Sequence, residues 1–184
     1  GDSESSVSDA SISSYLATLE QVHIIDDIEA WYPELRSKTR VRTGKKRNFV
    51  DPSLAIAALR ASEQDLLADF HTFGLIFESL ALRDLQVYAQ SLGGDLFYYR
   101  DKNGLECDAI IHLTDGRWGA IEIKLGADRA TIDKAAENLL KFSEIVDVEQ
   151  MKEPSCLMIL SGISGYAYRR PDGVLVVPIG CLRD

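Results

Sequence analysis

In the stretch NGLECDAIIHLTDGRWGAIEIK, residues 103–124, three acids and a lysine occupy alternate positions of two apolar runs. Glu106 and Asp108 precede the break Thr114-Asp115-Gly116, and Glu122 and Lys124 follow it. Side chains alternate between the two faces of a strand, so the turn decides which of these groups meet. A three-residue loop with Gly116 in the left-handed position, a type I turn with a G1 bulge, pairs Leu113 with Arg117. Counting back, Asp108 then lies opposite Glu122 and Glu106 opposite Lys124, all on one face. Cys107, Ala109, Ile111, Ile121 and Ile123 take the other. Acids gathered in this way repel and desolvate one another unless something compensates. A hard divalent cation such as Mg²⁺, or Mn²⁺ in its place, suits a pair of carboxylates at Asp108 and Glu122, and a nearby lysine can orient a water or offset developing negative charge. The same spacing also fits a cross-strand salt bridge of Lys124 with Glu106 or Glu122. A two-residue Asp115-Gly116 loop would shift the register by one and turn Asp108 and Glu122 to opposite faces.

The elements around this hairpin follow from periodicity. From Ser8 or Asp9, Ile12, Tyr15, Leu16, Leu19 and Val22 recur at helical spacing, and Ile24, Ile25 and Ile28 read as a short strand or wing. A lone helix of that length needs something to pack on. Thr39–Arg42 and Arg47–Val50 flank Gly44 as a basic hairpin. Asp51-Pro52 starts a helix over 52–60, and a longer helix runs from the polar break at 62–65 to about Ser91, stopped by Gly93-Gly94. Strands are expected at 95–100, 106–113, 118–125, 156–161 and 174–179, with a helix over about 128–147. CLMIL and VLVVPI lack a polar face, as central strands do. The expectation is an α/β fold divided as 1–61, an N-terminal segment with a connecting helix, and 62–184, a layered α/β domain.

The 184 residues, 46% hydrophobic, suffice for one core plus a smaller appended module. No apolar run approaches the roughly 20 residues that span a bilayer, and the acidic start GDSESSVSD is unlike a signal peptide, so a cytoplasmic chain is expected. Cys107, Cys156 and Cys181 are odd in number and widely spaced, which suggests neither a disulfide framework nor a cysteine zinc site. A net charge of −9 argues against a protein that coats nucleic acid, yet residues 1–35 lack Lys and Arg while Arg36, Lys38, Arg40, Arg42, Lys45, Lys46 and Arg47 form a stripe without one acid. That stripe reads as a solvated hairpin face or a nucleic-acid contact. His23, His71 and His112 lack metal-ligand spacing. Trp31-Tyr32-Pro33 and Tyr98-Tyr99 suit core packing better than base stacking, and Arg169-Arg170 before Pro171-Asp172-Gly173 reads as the end of a hairpin.

An acid on a helix, a strand bearing Asp, an E-x-K strand, a helix and further strands together resemble the PD-(D/E)XK, or restriction-endonuclease-like, superfamily. On that resemblance Asp108 matches the family aspartate, Glu122 and Lys124 the E-x-K, and Glu78 in FGLIFESLAL the acid of the first core helix; Cys107 stands where the family's proline would. The blocks SYLATLEQVHIIDDIEAWYP, LRSKTRVRTGKKRNFVDPSLA, FGLIFESLALRDL, YYRDKNGLECDAII and AIEIKLG further resemble the C-terminal region of uncharacterised prokaryotic AAA-type ATP-binding proteins. The resemblance implies a restriction-endonuclease-like mixed sheet flanked by helices, preceded by a partial winged helix. It implies Mg²⁺ as cofactor, DNA as substrate and an N-terminal ATPase module as partner, since this chain has no G-x-x-x-x-G-K-[ST] loop and so no ATP site of its own. It equally admits a catalytically inactive nuclease-like domain that serves as a nucleic-acid or protein interaction module. An apolar surface on residues 11–35 would be left for such a partner, or for a homo-oligomer, to cover.

Overall fold

The hairpin closes in the register that Gly116 predicts. In the computed structural model, which describes residues 8–32, 44–146 and 151–183, the Leu113 amide donates to the Arg117 carbonyl (2.8 Å) and the Gly116 amide to the Leu113 carbonyl (2.9 Å). Gly116 has φ +82°, the left-handed conformation that glycine adopts without penalty. The ladder then runs His112 with Trp118, Ile111 with Gly119, Ile110 with Ala120 and Ala109 with Ile121.

In chain order the elements are α1 (Asp9–Gln21), β1 (Ile25–Ala30), β2 (Lys46–Phe49), α2 (Pro52–Leu59), α3 (Glu63–Ala68), α4 (Phe70–Ser91), β3 (Gly94–Arg100), β4 (Glu106–Leu113), β5 (Trp118–Lys124), α5 (Arg129–Ile145), β6 (Cys156–Ser161), β7 (Tyr168–Arg169) and β8 (Leu175–Pro178). The described strands form one mixed sheet of eight in the order β2-β1-β3-β4-β5-β6-β8-β7. β5, β6 and β8 are parallel neighbours, whereas β3, β4 and β5 are antiparallel.

Two differences from the sequence reading stand out. The single long helix expected up to Ser91 is two: Asp69 ends α3 and its carboxylate accepts from the His71 and Thr72 amides to start α4, a cap strong enough to restart the helix. The basic hairpin is also different. β2 pairs antiparallel with β1, Ile25 opposite Phe49, and β1 pairs in parallel with β3, so this N-terminal segment extends the main sheet. The other expected arm, Thr39–Arg42, lies outside the described residues.

One layer covers each face of the sheet. α4 lays Phe77, Ala81, Leu82, Leu85 and Ala89 on Ala109, Ile121 and Ile123, the i, i+4 stripe of a core-facing helix. α5 lays Ile132, Ala135, Ala136, Leu139 and Phe142 on the opposite face, against Ile110, Trp118, Ala120 and Ile159. Trp118 meets Phe142 edge-on and Trp31 packs against both at a tilt, so the buried Trp31 is core. α1 has no buried residue, and Ile12, Tyr15 and Val22 are 44%, 66% and 57% exposed. No helix among the described residues is long and apolar enough to cross a membrane.

Candidate active site

β4 carries an irregularity just where its acid sits. Against β3, Phe97 pairs with Ile110 but Tyr99 pairs with Cys107, so one extra residue of β4 is accommodated between them. Such a bulge breaks the alternation of side chains. It corrects one assignment: Cys107, expected beside Ala109 and Ile111, packs instead in the α5-side core with Ile110 and Trp118. Its thiol donates to the carbonyls of Ala109 and Ile121, and burial pushes its pKa far above the usual thiol value. Beside it, Asp108 turns back over the end of the hairpin, and its Oδ2 accepts from the Ile123 amide (2.8 Å).

The three groups of the hairpin site meet. Lys124 Nζ lies 3.1 Å from Asp108 Oδ2 and 2.6 Å from Glu122 Oε2. The other oxygen of Glu122, Oε1, accepts from Asn138 Nδ2 (2.6 Å), which also donates to the Glu106 carbonyl (2.7 Å). Glu122 is only 4% exposed. Burial, followed by the neighbouring Asp108 charge, pushes its pKa up to about 7, against the pull of Lys124 and Asn138. For Lys124, burial works to lower the pKa, but the Asp108 and Glu122 carboxylates and their hydrogen bonds outweigh it and hold the ammonium above the usual lysine value. These groups line a cavity of about 550 Å³ whose far wall is the Thr131, Lys134, Asn138 and Lys141 face of α5.

A family model described as "Domain of unknown function (DUF4143)" matches residues 73–182. The chain belongs to this family. A second, described as "Domain of unknown function (DUF8612)", matches residues 2–65. No curated protein and no solved structure matches the chain. The DUF4143 match spans α4 to β8 and so includes Asp108, Glu122, Lys124 and Asn138.

Glu78 falls within the same match but not within the cluster. It pairs with Lys46 (2.7 Å) and lines a separate groove between α2 and α4. Lys46 lines that groove and also a smaller cavity beside Asp108, so a cation stands where the helix acid was expected to arrive. No group of three or more His, Cys, Asp or Glu side chains placed to hold a metal ion occurs among the described residues. Of the basic stripe, Arg36, Lys38, Arg40 and Arg42 lie outside the described residues, Lys45 and Lys46 flank the cavity beside Asp108, and Arg47 lies 3.7 Å from Asp27.

Asn138 was not singled out from sequence. A signal existed in the expected helix over 128–147: Lys134, Asn138 and Lys141 share an i, i+4, i+7 stripe beside the apolar stripe of Ala135, Leu139 and Phe142, and in the structure that stripe lies over the β4 and β5 residues of the site. His112 accepts from Trp31 Nε1 (3.3 Å), and partial burial lowers its pKa, which favours the neutral ring.

Proposed function

We propose that this chain carries a PD-(D/E)XK-type phosphodiesterase centre acting on DNA, in a restriction-endonuclease-like domain that works beside an AAA-type ATPase module. The observation that carries the reading is the convergence of Asp108, Glu122 and Lys124 in one cavity, with a buried Glu122 whose pKa is displaced to about 7. Strongly displaced titratable groups in a cleft mark sites of chemistry more often than ordinary ion pairs do. The family itself is one often found in ATPase-associated proteins.

The donor set fits a hard cation. Both carboxylates reach one point, presently held by the Lys124 ammonium, and two carboxylates with water and phosphate oxygens are what Mg²⁺ favours. Asp108 and Glu122 would hold it, and its chemistry there would be to polarise a phosphoryl oxygen and lower the pKa of a water. The chain's own residues supply the rest. Asn138 fixes one oxygen of Glu122, leaving the other to the cavity. The Ile123 amide fixes Asp108. Lys124, held protonated, cannot act as the base; it donates hydrogen bonds and offsets the charge that grows on the phosphoryl oxygens.

A second reading has its own observation. Lys124 already satisfies both carboxylates, and Glu78 is engaged by Lys46, as in a nuclease-like domain that has given up catalysis for binding a partner or nucleic acid. Calorimetric Mg²⁺ titration together with cleavage assays on single- and double-stranded DNA separates the two. The phosphodiesterase reading expects chelation to abolish cleavage, Asp108→Asn to weaken cation binding, and Lys124→Ala to keep the cation while slowing hydrolysis by a factor of about 10² to 10³. A wild type that neither binds the cation nor cuts leaves the second reading standing.

A further inference from the structure

Two separate cavities adjoin at Asp108. Cavities of about 550 Å³ and about 180 Å³ share Glu106 and Asp108 as a common wall. The larger runs along α5 past Lys134 and Lys141; the smaller opens toward Lys45, Lys46 and Arg100. With Lys124 at the junction, six basic side chains face four acids, Glu106, Asp108, Glu122 and Glu137, on a chain whose net charge is −9. Cations are thus concentrated where the molecule as a whole is acidic. Lys141 is paired with Glu137 (2.7 Å) and Arg100 with Glu106 (2.9 Å), both largely exposed pairs that exchange readily for a phosphate. Lys45 and Lys134 have no ion pair among the described residues.

We propose that one strand of nucleic acid crosses both cavities, its phosphates resting against Lys134 and Lys141 on one side of Asp108 and against Lys45 and Arg100 on the other. The proposal rests on the phosphodiesterase reading for the place of the scissile phosphate between them, and adds the path and the strandedness of the substrate. A polymer is favoured over a mononucleotide because the cations lie on both sides of the acids. Lys134 and Lys141 alone are two turns apart, about 10 Å along the helix, more than one phosphate spans. A single strand is favoured over a duplex because the arm beside Lys45 and Arg100 offers only about 180 Å³, against about 550 Å³ on the α5 side, which suits one backbone better than two. A duplex holds its two backbones apart by a groove roughly 6 to 12 Å wide.

Fluorescence anisotropy of a short labelled oligonucleotide, single-stranded or annealed to its complement, tests this. The full chain is used with Ca²⁺ in place of Mg²⁺, at several salt concentrations. The two charge-reversed pairs, Lys134→Glu with Lys141→Glu and Lys45→Glu with Arg100→Glu, are each expected to weaken single-strand binding on the order of tenfold. Each should also flatten the dependence of log affinity on log salt by about 1.4, the value for two lost phosphate contacts on a single strand. Arg183→Glu, exposed and outside both cavities, should change neither. Neutral versions of the pairs, with Gln in place of Glu, give the same reading at smaller amplitude if a reversed pair fails to fold.

A loss confined to one pair, no loss with either, or tighter binding of duplex than of single strand overturns the proposal. Its failure is distinct from that of the phosphodiesterase reading. A protein that cuts in Mg²⁺ yet ignores both reversals keeps the reading and loses the path. One that binds through both sides and never cuts keeps the path and loses the reading.

Discussion

Two hairpins of the sheet use the same turn, and a basic residue of each sits between two carboxylates, yet Glu122 responds in the opposite way to the aspartates beside the other. The β4–β5 turn closes with Leu113 to Arg117 and Gly116 at φ +82°; the β7–β8 turn closes with Arg170 to Val174 (2.9 Å) and Gly173 at φ +90°. Arg170 holds Asp133 (2.6 Å) and Asp172 (2.9 Å) at the surface, and its hydrogen bonds keep both carboxyls below the usual aspartate pKa. Lys124 holds Glu122 (2.6 Å) as closely, yet Glu122 is pushed up to about 7. Partner distance is the same, so it is not what separates them. Glu122 lies under α5 beside a second acid, and desolvation there exceeds what one ammonium returns. A carboxylate of the first kind is fully engaged; one of the second kind gains from any further positive charge.

The comparison breaks most visibly if the cations are removed. Lys124→Met leaves two facing carboxylates in the cavity and should lower stability by about 3 kcal/mol at pH 8, the lower end for a buried pair that loses one partner. Added Mg²⁺ should restore part of it. Arg170→Met should lose much less, because water replaces the guanidinium. Equal losses in urea denaturation would show that burial does not distinguish the two clusters.

Acidity sharpens the same contrast. Glu122 has a folded pKa of about 7, above the usual carboxylate value, so the folded state holds its proton longer than the unfolded state. Its effect on stability is therefore most favourable below the usual carboxylate pKa and declines as pH rises to about 7, on the order of 3 kcal/mol in all. Asp133 and Asp172, with lowered pKa values, act in the opposite sense and lose their contribution only as the pH falls through the acid range. Urea midpoints measured from pH 4.5 to pH 8 should fall in the wild type and flatten in Glu122→Gln; an unchanged slope in that variant would remove Glu122 as the titrating group.

Smaller effects follow. Asn138→Leu removes the donor to Glu122 Oε1 and should raise the Glu122 pKa further, with a loss of about 1 to 2 kcal/mol, read by the same titration. Gly116→Ala meets only Lys152 atoms at 3.7 Å and beyond, so its loss should be the conformational one alone, about 1 kcal/mol. If Gly173→Ala differs greatly from it, the two turns are not equivalent.

The legible parts of this molecule were those set by local rules. Gly116 fixed the β4–β5 register, and polarity bounded β4 and β6. Asp51 caps α2 where the sequence places it, and α1 begins at Asp9, one of the two starts its spacing allowed. What escaped depends on partners distant in sequence. The parallel pairing of β1 with β3 joins residues near 30 to residues near 98, and no turn announces it. The bulge that redirects Cys107 arises from the β3 register, not from β4 alone. In the site, Asp108, Glu122 and Lys124 meet because one hairpin carries them, whereas Asn138 comes from a helix whose angle to the sheet periodicity does not give. Glu78 shows the converse: a matching motif placed it, and its salt bridge to Lys46 holds it elsewhere.

Cys107 gives the hairpin a clock. Its thiol is sealed between the sheet and α5, hydrogen-bonded to Ile121 and Ala109, and far from ionising. Cys181, by contrast, is open to solvent. Alkylation requires a thiolate in contact with reagent, so Cys107 reacts only during moments when α5 lifts from the sheet or β4 parts from its neighbours. With the exposed Cys181 and the half-buried Cys156 replaced by serine, the slow modification of Cys107 followed by mass times how often the layer beside Asp108 and Glu122 opens, and whether Mg²⁺ or an oligonucleotide holds it shut.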